Sequence, residues 1–292
     1  MFRCFVMAYQ TIDVNDSLGP VGAVVSGIDL SNSLSTQTKQ EIHGAWLQHR
    51  VLFFRNQSLT PTQLARFASN FGELDVYPFM EAVDAHPNVI PIIKEADASL
   101  NFGGAWHVDT TYLDTPPMAT ILYGVEVPNR GGDTLFADAT SAYDTLSTGM
   151  KHMLESHTGI YTASIVHGIQ GRYTQPTSKE SLGSAYTGNA ETAELEVEHP
   201  LICTHPETGN KSIYCSLPHT HRIKGWTREE SLPLFKYLTK LIVQERFVSR
   251  FNWENGSLAM WDNRSVFHNA MNDYQGHRRH MLRVIVKGVR PV

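Results

Sequence analysis

The sequence has no apolar run of about eighteen residues, the length that a transmembrane helix requires, so no membrane span is expected. It also has no excess of basic residues, because 24 Lys and Arg stand against 29 Asp and Glu and give a net charge of -5. A mildly acidic chain without a basic stripe argues against nucleic acid as a partner.

Cysteine is scarce, with only Cys4, Cys203 and Cys215. Three cysteines form no disulfide framework, and the odd count suits a reducing compartment. Cys203 and Cys215 also have the wrong spacing for a zinc site. The apolar residues 1–7 are too few for the core of a signal peptide, so the cytoplasm is the predicted location.

Internal repeats, low-complexity runs and linkers are also lacking, and 41% of the 292 residues are hydrophobic. A chain of this length can bury a substantial core and allows one large domain or two small ones. All-β barrels of this size often form one domain, and we expect a single domain over residues 1–292. Several short strands with interspersed helices favour a mainly β sandwich or barrel with helical decoration. Two irregular segments, at about 78–105 and 165–199, are predicted to be either active-site lids or variable surface loops.

Two helix starts are marked by pairs with capping-box spacing, Thr60 with Gln63 and Thr227 with Glu230. Hydrophobic periodicity predicts the remaining elements. The predicted helices cover 35–49, the residues after Thr60, 141–156 and the residues after Thr227, and the predicted strands are 22–30 (a short strand and turn), 51–54, 89–93, 119–127, 133–137, 257–261 and 280–287.

The segment His107-Val108-Asp109 is the first candidate for chemistry. If it is a strand, the imidazole and the carboxylate point to the same face and can reach one metal ion. His268, far downstream, is the candidate third ligand, and two histidines with one carboxylate form the facial triad of non-haem iron(II) oxygenases. The alternatives are a loop histidine hydrogen-bonded to a nearby aspartate and, for His268, one more structural histidine among fourteen.

Arg279 and Arg283 would lie on the same face of the last predicted strand, among apolar residues. Buried cations need anionic partners, and a guanidinium group binds a carboxylate through two N–H groups. A dicarboxylate ligand would satisfy that geometry, although internal salt bridges are the alternative. Thr134 could donate its hydroxyl to the same carboxylate, or could be placed there by its preference for strands.

Four further residues are weaker candidates. His219 and His221 would share a face if extended and could line a pocket, but surface placement is the preferred interpretation. Trp106 and Trp261 are expected to pack around the site rather than to react.

In their order along the chain and in their residues, these segments resemble the taurine dioxygenase family of 2-oxoglutarate-dependent oxygenases. That family also contains the 2,4-dichlorophenoxyacetate dioxygenases. The similarity runs from about Gly22 to Lys287. The matching pieces are VLFFR at 51–55, FGEL at 71–74, WHVDT at 106–110, GGDTLF at 131–136, HPETG at 205–209, WDNR at 261–264, His268, and Arg278-Arg279 with Arg283.

The resemblance implies a double-stranded β-helix, or jelly roll, with flanking helices. It also implies an oxidoreductase that uses Fe(II), 2-oxoglutarate and O2 on a small-molecule substrate, and a homo-oligomer, either dimer or tetramer. Transferred residue by residue, it assigns His107, Asp109 and His268 to iron, Thr134 and Arg279 to the distal carboxylate of 2-oxoglutarate, and Arg283, Tyr77 and Thr110 to the substrate.

The substrate region departs from the taurine enzyme. Tyr77 replaces a substrate-binding histidine, and residues 102–105 replace a segment with a polar asparagine. Taurine itself is therefore disfavoured, whereas an anionic substrate is still expected because Arg283 is retained. Tyr77 could instead be an aromatic residue of the core.

Three other functions fit parts of the pattern. A zinc-dependent hydrolase or lyase could use the same three ligands, but it would give no role to Arg279 and Thr134. A non-catalytic jelly-roll binding protein would have no need of intact metal ligands. An oxygenase acting on a peptide would keep the whole site and change only the substrate.

Overall fold

The structure is a computed structural model that describes residues 9–15, 19–175, 186–188 and 190–292. The strands are β1 (Asp13–Asn15), β2 (Ala23–Ser26), β3 (Val51–Phe54), β4 (Ile90–Lys94), β5 (Ala119–Glu126), β6 (Thr134–Asp138), β7 (Thr158–Thr162), β8 (Glu196–Pro200), β9 (Ile202–Thr204), β10 (Lys211–Ile213), β11 (Thr220–Ile223), β12 (Val248–Phe251), β13 (Leu258–Asp262), β14 (Val266–Ala270) and β15 (Arg279–Val286). The helices are α1 (Thr36–His49), α2 (Pro61–Ala68), α3 (Ala139–Asp144), α4 (Thr148–Glu155), α5 (Ser164–His167), α6 (Ala190–Ala193) and α7 (Arg228–Ile242), and a 3-10 turn covers Glu245–Phe247.

Two sheets face each other across the centre of the molecule. The larger has the order β1-β2-β3-β13-β5-β15-β4, with only β2 and β3 parallel, and the smaller has the order β12-β6-β14. The aromatic rings of Phe53, Phe136 and Phe251 meet between them, with the Phe53 and Phe251 ring centroids 4.1 Å apart. This is the arrangement expected of a jelly roll, whose core lies between two antiparallel sheets.

The outer face of the larger sheet is covered by α1 and α2. Alternate residues of a strand point to opposite faces, so each central strand contributes to both layers. On β3, Leu52 and Phe54 pack under the helices, whereas Val51 and Phe53 face the smaller sheet. A third cluster packs α3 and α7 against the β11-β7-β8 sheet and the β9-β10 hairpin.

The predicted helix starts are confirmed. Thr60 accepts a hydrogen bond from the backbone N–H of Gln63, whose side chain bonds back to Thr60, and Thr227 and Glu230 form the same reciprocal pair. Each pair satisfies two backbone N–H groups that a helix start otherwise leaves without partners. The strands predicted around 51–54, 119–127, 133–137 and 257–261 are found within one residue of their predicted positions at either end.

The single helix predicted over 141–156 is wrong. The structure has α3 and α4 with a break between them, and Ser147 begins the second helix by accepting a hydrogen bond from the backbone N–H of Met150. A serine at this position bonds to the backbone locally, which favours a helix start over a helix interior. Strands β7, β9, β10, β11, β12 and β14 had no clear pattern in the sequence and were missed.

The segment 165–199 is less irregular than predicted, because it contains parts of α5, all of α6 and most of β8. Residues 176–185 and 189 lie outside the described part of the chain, as do residues 1–8 with Cys4. Cys203 and Cys215 are buried free thiols. Among the described residues, no helix has the length and apolar character needed to cross a bilayer.

Candidate metal centre and its two cavities

His268 lies in the middle of β14, on the smaller sheet, and a single β-bridge connects it to His107. The backbone N–H of each histidine donates to the carbonyl of the other, at N–O distances of 3.1 and 2.9 Å. His107 therefore makes one bridge and not a strand, and Asp109 lies in the turn that follows. The prediction that His107 and Asp109 share the face of a strand is wrong in its secondary structure.

The two residues nevertheless converge with His268, as the sequence predicts. One potential ligand atom from each of the three lies within 4.8 Å of those of the other two, and all three residues are buried. The Oδ1 atom of Asp109 is 3.6 Å from Nε2 of His107 and 3.8 Å from Nε2 of His268. These are separations that atoms around one metal ion can have, since each would lie about 2 Å from the ion.

Charge around Asp109 favours its ionised form. Burial by itself would raise the pKa of this carboxyl group, but Arg283, His268 and His107 beside it hold the pKa well below its usual range. Burial, together with His107, lowers the pKa of His268 well below the usual histidine value. The carboxylate is therefore anionic and His268 is neutral at neutral pH, which are the forms in which both bind a metal.

Arg283 contacts Asp109 from β15, with its Nη2 atom 2.9 Å from Oδ1. This short distance makes the two side chains an ion pair. The buried Nε and Nη2 groups of Arg283 have no hydrogen-bond partner among the described residues, so they have N–H bonds available for another acceptor. The guanidinium also lies 4.9 Å from the ring centre of Tyr77.

Arg279 lies four residues earlier on β15 and is 5% exposed. Its Nε and Nη2 atoms are buried without a hydrogen-bond partner among the described residues, and burial lowers its pKa. A buried guanidinium with unsatisfied N–H groups is costly, so the surroundings of Arg279 are suited to binding an anion. The sequence prediction of two arginines on one strand face is confirmed, because Arg279 and Arg283 line the same cavity.

That cavity, called here the inner cavity, brings together the predicted metal and co-substrate residues. Thr134, at the start of β6, lies in its wall and accepts a hydrogen bond from Nε1 of Trp253 at 2.9 Å. No described residue accepts a hydrogen bond from the Thr134 hydroxyl, so its hydrogen can be donated to a ligand. The inner cavity is lined by Ile92, Phe102, Gly103, His107, Asp109, Leu122, Thr134, Trp261, His268, Ala270, Arg279 and Arg283.

A second cavity of about 260 Å³, called here the outer cavity, adjoins the same metal residues. It shares His107 and Asp109 with the inner cavity and is walled mainly by apolar and aromatic side chains. Tyr77 and Thr110 both line it, where the sequence predicted substrate contacts. Its other lining residues are Phe102, Gly103, Ala105, Tyr112, Ile165, Val166, His167, Arg172, Tyr173, Leu217, Pro218 and His219.

Tyr77 is both a core residue and a cavity residue, so the two interpretations of it are compatible. It is buried, and its hydroxyl oxygen lies 3.4 Å from Nε2 of His167 and 3.4 Å from the hydroxyl of Tyr112. His167 in turn bonds the Tyr186 hydroxyl at 2.9 Å and stacks on Phe79. Burial lowers the pKa of His167 to about 3, with a further contribution from nearby Arg283, so this histidine is neutral.

The preferred surface placement of His219 is wrong. The side chain is 6% exposed, its Nδ1 lies 3.0 Å from the carbonyl oxygen of Val108, and it lines the outer cavity. His221, in contrast, is partly exposed and pairs with Glu196. The two histidines would share a face only if both lay in one regular strand, but β11 starts between them at Thr220 and its pairing with β7 is irregular there.

His167 and Tyr112 were not predicted as site residues. Tyr112 follows the metal motif closely, so its position in the sequence was a usable signal. His167 lies in the segment predicted to be irregular, and nothing near it in the sequence indicated a buried histidine. Trp261 packs against His268 as predicted, with ring centroids 4.7 Å apart.

Comparisons with known proteins agree with this geometry. The family model described as "Taurine catabolism dioxygenase TauD, TfdA family" matches residues 13–285. An alkylsulfatase of Acinetobacter baylyi is 33% identical over 96% of this chain and 86% of its own length. An alpha-ketoglutarate-dependent sulfate ester dioxygenase of Pseudomonas putida is 30% identical over 96% and 91%.

A solved taurine dioxygenase from Burkholderia xenovorans superimposes with a TM-score of 0.80 at 33% identity, covering 97% of this chain and 93% of the other. This likeness confirms the predicted jelly roll, and the family favours an oxygenase over a zinc hydrolase or a non-catalytic binding protein. The chain therefore belongs to the TauD, TfdA family and is a 2-oxoglutarate-dependent dioxygenase, an oxidoreductase that consumes O2.

Proposed function

We propose that the chain binds Fe(II) through His107, Asp109 and His268 and oxidises a small organic monoanion that enters through the outer cavity. Two imidazoles and one carboxylate are the ligand set of non-haem iron(II) oxygenases, and three protein ligands leave further positions open at the ion. The observation that carries the proposal is the buried Arg279 guanidinium, which lies in the same cavity as the three buried ligands and has two N–H-bearing nitrogens without a partner among the described residues.

Arg279 and Thr134 would bind the distal carboxylate of 2-oxoglutarate. Both line the inner cavity, Arg279 has two buried N–H groups without a partner, and the Thr134 hydroxyl is free to donate. A forked guanidinium and a hydroxyl group match the two oxygens of a carboxylate. Held at that end, the keto acid would have its other end directed towards His107, Asp109 and His268, so the reacting groups are positioned before reaction.

When bound, iron and 2-oxoglutarate supply the oxidising chemistry, in which O2 is consumed, 2-oxoglutarate becomes succinate and CO2, and a C–H bond of the substrate is oxidised. The protein's own part is to position the reactants and to exclude water. The aromatic walls of the outer cavity serve the second task, since Tyr77, Tyr112, Phe102 and Tyr173 leave little polar surface for ordered water.

The charges at the centre support an anionic substrate. A divalent ion, a doubly charged keto acid, the Asp109 carboxylate and the Arg279 and Arg283 guanidinium groups leave one positive charge in excess. Arg283 retains buried N–H groups that could bind one further anion. Two relatives, named for alkyl sulfates and sulfate esters, agree with a monoanion of this kind.

The walls of the outer cavity support an apolar body for that anion. Tyr77 and Thr110 lie in the wall, together with aromatic and aliphatic side chains, and described carboxylates other than Asp109 are absent from it. Such a wall would stabilise an alkyl or aryl group and would offer little to the ammonium group of taurine. Sulfate esters, sulfonates and aryloxy acids with small apolar bodies are the substrates we propose.

The domain organisation is part of the same proposal. We propose one domain over residues 1–292, with segments 78–105 and 165–199 covering the active site, because Phe102, Gly103, Ile165 and Tyr173 line the outer cavity. Cytoplasmic location and a homodimer or homotetramer stay predictions from the sequence and the family resemblance. Size-exclusion chromatography with light scattering would check the second.

The test is succinate formation by purified protein with Fe(II), 2-oxoglutarate and a panel of alkyl sulfates, alkyl sulfonates and aryloxy acids. We expect succinate to increase with at least one monoanion, and a His107→Ala variant to fall to background because one ligand is lost. His152→Ala, at an exposed position on α4, is the matched control and should keep full activity. Succinate formation unchanged in His107→Ala would overturn the proposed centre.

Metal analysis and oxygen consumption complete the test. A zinc hydrolase would contain zinc as isolated and would consume substrate without O2, which would refute the iron assignment. Stoichiometric use of O2 and 2-oxoglutarate would support it.

A further inference from the structure

Both oxygens of the Asp109 carboxylate have defined neighbours. Oδ1 faces the two histidines, at 3.6 Å from His107 and 3.8 Å from His268, and also lies 2.9 Å from Nη2 of Arg283. Oδ2 accepts a hydrogen bond from the hydroxyl of Thr120, with an O–O distance of 2.7 Å. The two oxygens are therefore in different environments before any metal binds.

The direction of the Thr120 hydrogen bond follows from its neighbours. A threonine hydroxyl has one hydrogen and can accept through its lone pairs. The Oγ1 atom of Thr120 lies 2.7 Å from a carboxylate oxygen, which can only accept, and 2.9 Å from Nδ2 of Asn263, which can only donate. The chain of hydrogen bonds thus runs from Asn263 to Thr120 and from Thr120 to Asp109. Reversing the Asn263 amide would place two acceptors around one hydrogen.

The two residues are rigidly placed. Thr120 is completely buried on β5, between Trp261 of β13 and Ile285 of β15. Asn263 is 1% exposed in the turn after β13, where its backbone N–H donates to the carbonyl of Met118. The other side-chain atom of Asn263, Oδ1, is buried without a hydrogen-bond partner among the described residues. A buried amide with one unsatisfied atom is costly, so the hydrogen bond that its Nδ2 group donates to Thr120 is expected to have a role.

We infer that Thr120 and Asn263 are positioning residues that hold Asp109 in a one-oxygen binding mode, with Oδ1 turned to the metal and Oδ2 kept away from it. The inference rests on the proposed function, because it requires a metal at His107, Asp109 and His268. Its consequence is a vacant position at the ion, since a carboxylate that binds through both oxygens occupies two positions. The co-substrate and O2 together need every position that the three ligands leave open.

The segment WDNR at 261–264 thereby gains a role that the sequence did not reveal. Asp262 and Arg264 of this segment bond to each other. Asp262 also bonds to His205, and Arg264 also bonds to Glu207, so neither side chain is directed at Asp109. Asn263 points in the other direction, to Thr120.

The test is the affinity for Mn²⁺, measured by calorimetric titration without 2-oxoglutarate or substrate. Thr120→Val has nearly the same shape without the hydroxyl, and we expect it to weaken binding roughly 10- to 100-fold, the range found when partners of metal ligands are removed. Thr120→Ser restores a hydroxyl and should return the affinity to near the wild-type value. Thr140→Val is the control, because it removes a buried hydroxyl of α3 that bonds to Ser212 of β10 and does not contact Asp109. This variant should bind Mn²⁺ like wild type.

Asn263→Ala covers the case in which Thr120→Val does not fold. It leaves Thr120 and Asp109 in place, and loss of one neutral hydrogen bond should weaken Mn²⁺ binding roughly 2- to 10-fold. Suppose that the wild type binds Mn²⁺ and that the folded Thr120→Val variant, or Asn263→Ala in its place, binds it equally tightly. The positioning role is then refuted, whereas the proposed metal site is supported. If the wild type itself binds no Mn²⁺, the proposed metal centre is refuted together with it.

Discussion

At the scale of single residues, the proposed co-substrate site depends on the contrast between two neighbouring arginines. Arg278 is partly exposed and forms ion pairs with Glu95 and Glu126. Arg279, the first residue of β15, is buried, and two of its N–H-bearing nitrogens have no partner among the described residues. Because neighbouring side chains of an extended chain point in opposite directions, a solvated cation that already has partners is separated from a buried one that needs a ligand.

Arg279→Gln should raise the KM for 2-oxoglutarate roughly 10- to 100-fold, because a charge-assisted hydrogen bond contributes about 1.5–3 kcal/mol. Steady-state kinetics with varied 2-oxoglutarate would measure this change. Arg278→Gln is the matched control, and we expect its KM to stay within about 3-fold of wild type since exposed ion pairs contribute little. Equal effects of the two substitutions would contradict the assignment of Arg279.

At the scale of elements, the helices stabilise the sheets without contributing metal ligands. Helix α7 places Phe235, Leu238 and Ile242 in the third hydrophobic cluster, together with Phe267 of β14. Phe267 is the residue before His268, so the packing under α7 reaches the strand that presents this ligand. The capping box at Thr227 fixes where the helix begins and so which residues face that cluster.

Thr227→Ala should lower the free energy of unfolding by about 1 kcal/mol, because it removes the oxygen that accepts from the Glu230 backbone N–H. Thr239→Ala, within the same helix, is the control. Its hydroxyl bonds only to the carbonyl of Phe235 one turn earlier, and alanine favours helix more than threonine does. We therefore expect unchanged or slightly higher stability for Thr239→Ala in urea denaturation, and the opposite order would contradict the capping role.

At the scale of the whole molecule, several buried histidines are held neutral, and three of them line the two cavities. Burial lowers the pKa of His167 to about 3, and it lowers the pKa values of His219, His268 and His199 in the same direction. The unfolded chain protonates these groups near pH 6.5, whereas the folded chain does not. Acid therefore favours the unfolded state, because that state binds more protons.

The free energy of unfolding of the metal-free protein should decrease as the pH falls from about 7 to 5, by about 2 kcal/mol in total for each histidine that stays neutral in the folded state, with a slope that approaches about 1.4 kcal/mol per pH unit below about pH 6. Urea denaturation at a series of pH values would measure the slope. His167→Gln removes one such group and should make the slope shallower by about that amount. A stability that does not change between pH 7 and 5 would contradict the neutral state of these histidines.

The sequence by itself determined what depends on local order along the chain. Capping boxes at Thr60 and Thr227 predicted two helix starts, because their hydrogen bonds join residues three apart. Alternation on the last strand predicted that Arg279 and Arg283 face one cavity, since neighbouring side chains of a strand point in opposite directions. The types and spacing of His107, Asp109 and His268, with the family resemblance, predicted the ligand set and the jelly roll.

Only the tertiary structure decided what depends on contacts between distant segments. The turn at Asp109 lies beside His268, His219 is held inward by Val108, and His167 is buried against Tyr77. Each of these contacts joins segments more than fifty residues apart, which no local pattern encodes. The hydrogen bonds from Asn263 through Thr120 to Asp109 likewise join three separate segments. Local patterns set the direction of each side chain, but the folding of the two sheets against each other decides which side chains meet.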